Sequence, residues 1–550
     1  MKFSFLNRKE TAHQLQKNSF DLLIIGGGIT GAGIALDAAS RGLKVALVEK
    51  NDFASGTSSK STKLIHGGLR YLKQFDFWLV KEVGEERAIV HKNAPHLVVP
   101  EKMILPLIEG GSYGAWLTSI GLKIYDILAK VGGEDQRKML SKKEALATEP
   151  LLPKKILKGA GYYAEYRTDD ARLTIEVLKT AVAQGAVAIN YTEVSSFLYR
   201  ENVVSGARVN DGTTGEAYEI TANYVVNAAG PWVDELRQLN NSKTGKRLHL
   251  TKGVHLVVPH RKLPVQQSVY FDIPDGRMMF AIPRGNTTYF GTTDTNYQAD
   301  KNNVNTSITD AAYLIAAVNN MFPEVHLTSD DIESSWAGLR PLIHEEGKSA
   351  SELSRKDELF VSETELISIA GGKLTGYRKM AERVVDLVCK KSARRLQTTY
   401  QKIKTEHLVI SGGDFKNFKA VQAYVEKIAK QLVAMGGAAA DAAYLVHNYG
   451  TQTCAIIEKA VSYSGVATAE NCIKAEVWFA VHHEMICTPT DFFARRTGRL
   501  FFNMPSVLQH QELVTKELAA YFYWTPEETQ QHLQELQTQI TAATIFVEKA

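Results

Sequence analysis

A loop near the start of the chain concentrates side chains that could bind a phosphate group and move a proton. It runs from Ser55 to Tyr71 and reads SGTSSKSTKLIHGGLRY. Its hydroxyl groups and backbone amides suit contacts to phosphate, and the glycine pair after His66 lets a ligand approach the main chain closely. His66, Arg70 and Tyr71 all lie in this short segment. A solvated loop with incidental charges is the alternative, but the density of glycine, hydroxyl and basic residues favours a site.

The segment before this loop has the spacing of a dinucleotide-binding turn. Leu22–Ile25 is a short apolar run that predicts a buried strand. Gly26, Gly28 and Gly31 follow in G-x-G-x-x-G spacing. In such a turn the first glycine permits a tight bend, the second permits close approach of a pyrophosphate, and the third lets helix and strand pack closely. The pattern therefore predicts a dinucleotide site.

The residues after the turn strengthen this prediction. Ile29–Ser40 predicts a helix whose N-terminus adds partial positive charge to the anion site, and residues 44–48 predict a second strand. Glu49, eighteen residues after Gly31, is placed to accept hydrogen bonds from ribose hydroxyls and would repel a 2′-phosphate. A glycine-rich turn in an ordinary α/β unit is the alternative, and the motif alone does not separate NAD from FAD.

Two later segments repeat the pattern of an apolar strand followed by glycine. Residues 224–232 read YVVNAAGPW, so that Ala228–Gly230 presents no bulky side chain to a cofactor. Residues 366–376 read LISIAGGKLTG and precede a predicted helix that reaches Val388. A second helix N-terminus is redundant for one pyrophosphate, but it suits a flavin ring whose reduced form carries negative charge. The two later strand–glycine segments therefore favour FAD over NAD as the bound dinucleotide.

The rest of the chain divides into a strand-rich part and a helical part. Between residues 250 and 345 apolar and polar residues alternate at strand spacing, which predicts an antiparallel sheet beside a substrate cavity. From residue 401 helical patterns prevail. The predicted fold class is α/β, with a Rossmann-like FAD-binding domain interleaved with an antiparallel-sheet substrate domain, followed by an all-α C-terminal domain. The predicted boundaries are an N-terminal arm (1–20), the FAD-binding domain (21–95, 155–250 and 360–400), the substrate domain (96–154 and 251–359) and the helical domain (401–550).

Composition excludes several other classes of protein. The 550 residues are 44% hydrophobic and 23% charged, as in ordinary globular proteins with large cores. A net charge of +4 is too small to indicate nucleic-acid binding. The four cysteines form no C-x-x-C pair, which argues against a metal site or a disulfide framework and fits the cytoplasm. No apolar run reaches the roughly 18 residues of a transmembrane helix, so any membrane contact is expected to be peripheral.

The helical part carries charged residues whose role the sequence leaves open. Arg495, Arg496 and Arg499 are predicted to lie on a solvated helix face, and a basic patch for membrane phosphates or a dimer partner is the alternative. His482–Glu484 lacks the H-E-x-x-H spacing of a zinc site and predicts surface or packing residues. Asp414 is predicted to cap a helix that ends near Val433, and Thr525 is predicted to open another with a capping box.

Residues 21 to about 390 contain, in this order, the stretches DLLIIGGGITGAGIALDAASRGLKVALVE, GTSSKSTKLIHGGLRYLK, YRTDDARL, VVNAAGPWV, KGVHLVVP, GTTDT, SWAGLRPL and GGKLTGYRKMAE. In the order and spacing of these motifs, the chain resembles the FAD-dependent glycerol-3-phosphate dehydrogenases of the respiratory, quinone-linked type, closest to the bacterial aerobic form. That resemblance implies a fold similar to glutathione reductase and D-amino-acid oxidase.

The resemblance implies oxidation of sn-glycerol 3-phosphate to dihydroxyacetone phosphate by hydride transfer to FAD, with electrons passed to a membrane quinone. It also implies a homodimer in the cytoplasm or at the inner face of the cell membrane. A related oxidase passes electrons to O2 and usually has an insertion between the equivalents of Arg340 and Lys373, which here lie only 33 positions apart. That spacing favours the dehydrogenase. An amine or amino-acid oxidase of the same fold would share the first motif without needing clustered cations.

The resemblance also assigns roles to individual residues. Arg70, Tyr71, Arg340 and Lys373 are implied to bind the substrate, since fixed cations suit a phosphate dianion. Oxidation of an alcohol needs a base for the hydroxyl proton; His66 is the first candidate and His255 the second, while Arg340 is a candidate to stabilise the developing alkoxide. The predicted cofactor-binding residues are Gly26, Gly27, Gly28, Ile29, Thr30, Gly31, Glu49, Lys50, Thr57, Ser58, Ser59, Leu64, Ile65, Gly230, Gly372, Leu374 and Thr375.

Overall fold

Two β-sheets and a group of C-terminal helices make up the computed structural model, which describes residues 3–66, 77–111, 137–344 and 357–548. The described strands are β1 (Ser19–Ile25), β2 (Val45–Val48), β3 (Leu64–Ile65), β4 (Val99–Ile108), β5 (Lys138–Ser141), β6 (Leu157–Arg167), β7 (Val187–Ile189), β8 (Thr192–Arg200), β9 (Val203–Asp211), β10 (Ala217–Asn227), β11 (Leu248–Pro259), β12 (Ser268–Asp272), β13 (Met278–Arg284), β14 (Thr287–Gly291), β15 (Thr295–Asn296), β16 (Ser334–Ile343), β17 (Asp357–Val361) and β18 (Ile367–Gly371).

Helices connect and cover these strands. They are α1 (Arg8–Lys17), α2 (Ile29–Ser40), α3 (Phe77–Asn93), α4 (Lys142–Thr148), α5 (Asp170–Ala183), α6 (Val233–Leu239), α7 (Ile308–Met321), α8 (Tyr377–Arg395), α9 (Phe418–Ala434), α10 (Asp441–Tyr449), α11 (Thr453–Ser464), α12 (Ala469–His483), α13 (Arg499–Phe502), α14 (Met504–Phe522) and α15 (Pro526–Thr544). A π-helical segment, Asp491–Arg496, precedes α13.

The first sheet carries the glycine-rich turns. Its strands run in the order β17-β18-β10-β1-β2-β7, with β9 and β8 extending from β10. The central strands β18, β10, β1, β2 and β7 are parallel, so their carboxyl ends meet at one edge. These strands are almost wholly apolar because helices α2, α5 and α8 pack against the sheet and α2 contacts both others. The predicted strand–turn–helix order at the chain start is confirmed.

The second sheet is mainly antiparallel and supplies the wall opposite these turns. Its order is β15-β11-β14-β13-β12-β4-β6-β3, with β16 paired to β11 and β5 to β6. The long β11–β16 pairing places Thr251 opposite Arg340 and His255 opposite Trp336. The predicted fold class, with an α/β cofactor domain, an antiparallel substrate sheet and an all-α C-terminal part, is confirmed.

Two short parts of the predicted division differ in the structure. Strand β6, which begins at Leu157, belongs to the second sheet, although the range 155–250 assigned it to the cofactor domain. Strand β3 also pairs with β6, although it lies inside the range 21–95. The residues of a strand do not show which sheet the strand belongs to, because the neighbouring strand with which it forms hydrogen bonds can lie far away in sequence.

The C-terminal helices show the predicted character but one wrong cap. Thr525 and Glu528 form the reciprocal capping box that opens α15, as predicted. Helix α9 is capped instead by Asn417, whose side chain accepts a hydrogen bond from Ala420, so the prediction for Asp414 is wrong. Asn and Asp cap equally well, and only the backbone path decides between two candidates three residues apart. Within the described parts of the chain, no helix is both long and apolar enough to cross a membrane.

Candidate cofactor and substrate site

A cleft of about 410 Å³ opens at the carboxyl edge of the parallel strands. It is lined by the turn after β1, the residues after β2, the loop from Ser55, the turn after β10 and the turn after β18. These segments are distant in sequence and meet because their strands are parallel neighbours. A ligand that touches all of them must be long, as a dinucleotide is.

The glycines of the first turn are required by contacts rather than by flexibility alone. Gly26 has φ of +116°, and a Cβ there would lie 2.6 Å from the carbonyl oxygen of Ala228. A Cβ on Gly31 would lie 1.9 Å from the carbonyl oxygen of Gly26. Strand, turn and helix α2 therefore pack too closely for any side chain at these positions, as the motif predicted.

The N-terminus of α2 faces the loop that follows β2. The Ile29 amide donates to Ser58 Oγ at 2.9 Å, and a Cβ on Gly28 would stand 3.0 Å from that oxygen. Gly28 occupies the N-cap without a side-chain cap. The other backbone amides of this first turn and the positive end of the helix suit a pyrophosphate here. The open cradle and its donors thus fit a dinucleotide such as FAD.

Glu49 is held by the turn that it completes. Its carboxylate accepts hydrogen bonds from the amides of Gly27 at 2.7 Å and Asn51 at 2.9 Å. Burial raises the pKa of Glu49, and those two amides act against this shift. The carboxylate still lines the cleft and keeps acceptor capacity for a ligand hydroxyl.

The structure separates the predicted cofactor residues into groups. Those that line the cleft are Gly26, Gly28, Ile29, Thr30, Glu49, Lys50, Thr57, Ser58, Gly230, Gly372 and Leu374. Gly27 and Gly31 act through close packing of the turn, and Ile65 is fully buried. Leu64 and Thr375 line the neighbouring cavity, and Ser59 lines a third cavity. Direct contact of any of these residues with the cofactor stays a prediction.

A second cavity, of about 500 Å³, adjoins the cleft. It lies between the carboxyl edge of the first sheet and the face of the second, and His66, His255, Arg340 and Lys373 all line it. The two spaces share the wall residues Thr57, Ser61, Pro341, Gly372, Lys373 and Leu374. A ligand in the second cavity therefore meets one end of a ligand in the cleft. Arg70 and Tyr71 lie outside the described residues.

Arg340 is fixed by the strand end beside it. Its Nη1 donates to the carbonyl oxygen of Thr293 at 2.9 Å and lies 3.2 Å from Asp294 Oδ1, while Nη2 donates to Thr292 Oγ1 at 2.7 Å. A Cβ on Gly253 would lie 2.3 Å from the guanidinium, so glycine makes room for it. A cation held this rigidly is suited to orient an anionic group.

His255 is enclosed and neutral. Its Nε2 lies 3.0 Å from Thr62 Oγ1, and its ring stacks on Trp336 with centroids 4.9 Å apart. Burial, then the positive charges of Arg340 and Lys63, hold its pKa well below the usual value. Its Nδ1 is buried and has no hydrogen-bond partner among the described residues. The ring therefore meets the cavity mainly through the Thr62 hydroxyl.

His66 joins the loop that begins at Ser55 to the start of α8. Its backbone amide donates to Thr375 Oγ1 at 3.1 Å, and the Thr375 hydroxyl lies 3.2 Å from the His66 carbonyl oxygen. The His66 ring is only partly buried and stands edge-on to Phe280, with centroids 6.1 Å apart. These hydrogen bonds join segments that are 309 residues apart in sequence. His66 and Lys373 therefore line the same cavity, together with His255.

The residues that support these groups had no predicted role. Thr62, Thr292, Thr293 and Asp294 contact the predicted histidine and arginine but were assigned no role. The motif GTTDT at residues 291–295 was a usable signal, since it matched the resembled family without an explanation.

The prediction of a solvated face for Arg495, Arg496 and Arg499 is wrong. Arg496 is almost fully buried, and its Nη1 and Nη2 lie 2.8 and 2.9 Å from the two carboxylate oxygens of Asp52. Arg499 pairs with Glu476 at 2.6 Å. Helical spacing of charges cannot reveal such pairing, because the carboxylates lie on other elements.

Comparison with known proteins agrees with this architecture. A family model described as FAD dependent oxidoreductase matches residues 21–374, and one described as the C-terminal domain of alpha-glycerophosphate oxidase matches residues 403–529. A protein of Bacillus subtilis (strain 168) named aerobic glycerol-3-phosphate dehydrogenase is 49% identical over 100% of this chain and 99% of its own length. A protein of the same name from Staphylococcus haemolyticus (strain JCSC1435) is 48% identical over 99% of this chain and 98% of its length.

Solved structures show the same similarity. The glycerol-3-phosphate dehydrogenase from Bacillus halodurans, solved as a complex with FAD, aligns with a TM-score of 0.85 and 43% identity over 100% of both chains. The L-alpha-glycerophosphate oxidase from Mycoplasma pneumoniae, with FAD bound, aligns with a TM-score of 0.55 and 20% identity over 70% of this chain and 96% of that one. The latter similarity concerns the fold alone.

Proposed function

The chain belongs to the FAD-dependent oxidoreductase family, with FAD as its cofactor, and we propose that it oxidises sn-glycerol 3-phosphate to dihydroxyacetone phosphate. The observation that carries the proposal is the cavity beside the cofactor cleft. The cationic side chains of Arg340 and Lys373 line it together with His66 and His255. A phosphate and an alcohol on one small molecule need this combination of charge and base.

Bound FAD supplies the acceptor for the hydride that leaves C2 of the substrate. The protein's own task is to orient the substrate and remove the hydroxyl proton. Arg340 and Lys373 provide the positive charge for the phosphate and for the developing alkoxide. Asp294 and the Thr292 hydroxyl keep the Arg340 guanidinium in one orientation, which lowers the entropy lost on binding.

We propose His66 as the first candidate for the base that accepts the hydroxyl proton of the substrate, and His255 as the second. His66 has a partly buried ring at the cavity wall. In His255 the Nδ1 atom is enclosed and Nε2 is engaged by Thr62, so a proton would reach this ring through the Thr62 hydroxyl. Its low pKa keeps the ring unprotonated at neutral pH, so that one ring nitrogen is able to accept a proton.

A single spectroscopic experiment tests the substrate. The yellow colour of the purified protein should bleach under anaerobic conditions with glycerol 3-phosphate, and should persist with amino acids or glycerol. Bleaching by amino acids but not by glycerol 3-phosphate would replace the proposal with an amino-acid oxidase. No bleaching by either would indicate a nucleotide-binding protein without this activity.

For the electron acceptor we propose a membrane quinone, with O2 as the alternative acceptor. The short connection between Arg340 and Lys373 supports the quinone. The oxidase-derived model that matches the C-terminal part keeps the alternative open. Measuring quinone-analogue reduction and peroxide release in one preparation separates them, because an oxidase would release one peroxide per substrate oxidised.

We also propose a homodimer in the cytoplasm that binds peripherally to the inner face of the cell membrane. The four cysteines are free thiols, which suits a reducing compartment. Membrane contact follows from the quinone acceptor, and it should be weak and salt-sensitive. Finding all of the native enzyme in the soluble fraction at low salt would contradict the membrane contact, and a monomer mass in solution would contradict the dimer.

A further inference from the structure

A third cavity, of about 330 Å³, lies where the loop from Ser55 to Lys60 meets the helical domain. The helical domain contributes Arg495, Phe501 and Ala543 to its wall. The cavity shares Thr57 with both the cofactor cleft and the substrate cavity, and Lys60 with the latter. It is therefore a neighbour of both sites, and the function proposed above makes no use of it.

Lys60 is the unusual group in this cavity. Its side chain is partly buried and forms no ion pair or side-chain hydrogen bond with any described residue. Burial, and then the positive charge of Arg495, lower the pKa of Lys60 to about 8. Lys63 contrasts with it, because Lys63 is fully buried and its ammonium pairs with Asp170 at 2.5 Å.

The carboxylates nearby are already committed to other cations. Arg495 lies 2.5 Å from both Asp52 and Asp491, and Asp52 is also held by Arg496. Neither acid contributes to the pKa shift of Lys60. A partly buried ammonium beside a second cation is stabilised when an anion offsets its charge. Further polar groups on the cavity wall belong to Ser55, Thr490 and Gln539.

We propose that this cavity binds a small anion, a compound bearing a phosphate or carboxylate group, through the ammonium group of Lys60. The ligand would lie against Thr57, whose hydroxyl donates to the Leu339 carbonyl oxygen at 2.7 Å. This hydrogen bond joins the loop from Ser55 to Lys60 to strand β16. Strand β16 carries Arg340 one residue later. Occupancy of this cavity is thereby placed to influence the substrate arginine, and the inference does not depend on which substrate is oxidised.

The first test measures the reactivity of Lys60 in the FAD-loaded enzyme. Trace acetylation at pH 8, followed by peptide mass spectrometry, gives the rate for Lys60 and for exposed Lys155 in the same sample. Added inorganic phosphate should slow the acetylation of Lys60 at least threefold and in a saturable way, because a bound anion shields the amine and favours its protonated form. Chloride at equal ionic strength should not. Equal slowing of both lysines, or equal effects of both salts, would overturn the proposal.

The second test counts bound phosphate by equilibrium dialysis. Lys60→Gln should bind one phosphate fewer per chain than the wild type, while Lys60→Arg and the control Lys155→Gln should bind the wild-type number. An unchanged count in Lys60→Gln would overturn the proposal. Flavin content checks that each variant is folded, and if Lys60→Gln is not, the acetylation result on the wild type decides alone. Flavin bleaching by glycerol 3-phosphate is a separate reading, so failure of this proposal cannot be mistaken for failure of the proposed function.

Discussion

Asp52 and Arg496 form a two-bond ion pair, at 2.8 and 2.9 Å, between residues that are 444 positions apart. Asp52 follows the ribose-binding candidate Glu49 by three residues, and Arg496 belongs to the C-terminal helical domain. Both side chains are buried. Although burial alone would raise the pKa of Asp52, Arg496 and Arg495 lower it to about 2. The pair therefore anchors the helical domain to the loop that completes the cofactor cleft.

Removing one partner of this pair should destabilise the protein and weaken cofactor retention. Arg496→Met leaves a buried carboxylate with one arginine fewer, which typically costs about 3–5 kcal/mol of folding free energy. Because the affected loop also carries Glu49, FAD should dissociate faster at temperatures where the variant is still folded. Thermal unfolding and flavin release into a filtrate measure the two effects.

The control for Arg496→Met is Arg277→Met. Arg277 pairs with Asp275 at 2.5 Å, but both side chains are more than a third exposed. An exposed pair contributes about 0–1 kcal/mol, so this variant should lose little stability and keep its flavin. Similar losses in both variants would show that the anchoring role assigned to Arg496 is wrong.

Arg340→Lys should impair the reaction far more than it impairs folding. Lysine keeps the charge but cannot hold the Thr292, Thr293 and Asp294 contacts together, because it lacks the planar fork of arginine. Loss of one oriented donor near a developing negative charge typically costs about a hundredfold in rate. Anaerobic flavin reduction measured in a stopped-flow instrument, with melting temperature as the check on folding, tests this; a loss below threefold would refute the assignment.

The two histidines can be separated by single-turnover kinetics. His66→Gln should slow flavin reduction at least about tenfold if its ring takes the hydroxyl proton, within the usual range for a general base. His255→Gln should have the smaller effect, because Nε2 is engaged by Thr62. A larger loss of rate in His255→Gln than in His66→Gln would assign the role of the base to His255. Unchanged rates of flavin reduction in both variants would exclude both histidines as the base.

Stability should fall as pH drops below about 6.5, since buried histidines must gain protons on unfolding. Both ring nitrogens of His96 are buried without a hydrogen-bond partner in the described part of the chain, and burial, then Arg172, keeps its pKa well below the usual value. The unfolded chain then binds more protons, which lowers the unfolding free energy by up to about 1.4 kcal/mol per pH unit for each such histidine. The unfolding free energy, measured by urea unfolding between pH 7.5 and 5, should change less steeply with pH in His96→Leu than in the wild type. Exposed His326→Leu should keep the wild-type slope.

Gly31→Ala should abolish flavin binding, although alanine favours helix by about 1 kcal/mol. Its Cβ would lie 1.9 Å from the Gly26 carbonyl oxygen, so the strand and helix α2 would have to separate at the pyrophosphate turn. Gly212→Ala is the control, because a Cβ there meets its nearest atom at 3.4 Å. Absorbance at flavin wavelengths in the purified variants measures the effect; normal flavin content in Gly31→Ala would contradict the close-packing interpretation.

The local features of this protein follow from short stretches of its sequence. The glycine spacing after β1, the helix that follows it and the capping box at Thr525 depend on residues a few positions apart, and such patterns can be read from the chain. The meeting of His66, Arg340 and Lys373 at one cavity was implied by family resemblance rather than derived from spacing.

Which distant groups become partners depends on how the chain folds. Helical spacing predicted a solvated face for Arg496, whereas the fold buries it against Asp52. The sequence around Asp52 does not identify Arg496 as its partner, and the sequence around Arg496 does not identify Asp52. Whether a charged side chain is buried depends on which distant segments pack against it. The low pKa of His255, and the lack of an ion-pair partner for Lys60 among the described residues, also depend on the fold, since the pKa of a group depends on burial and on charges that only folding brings near.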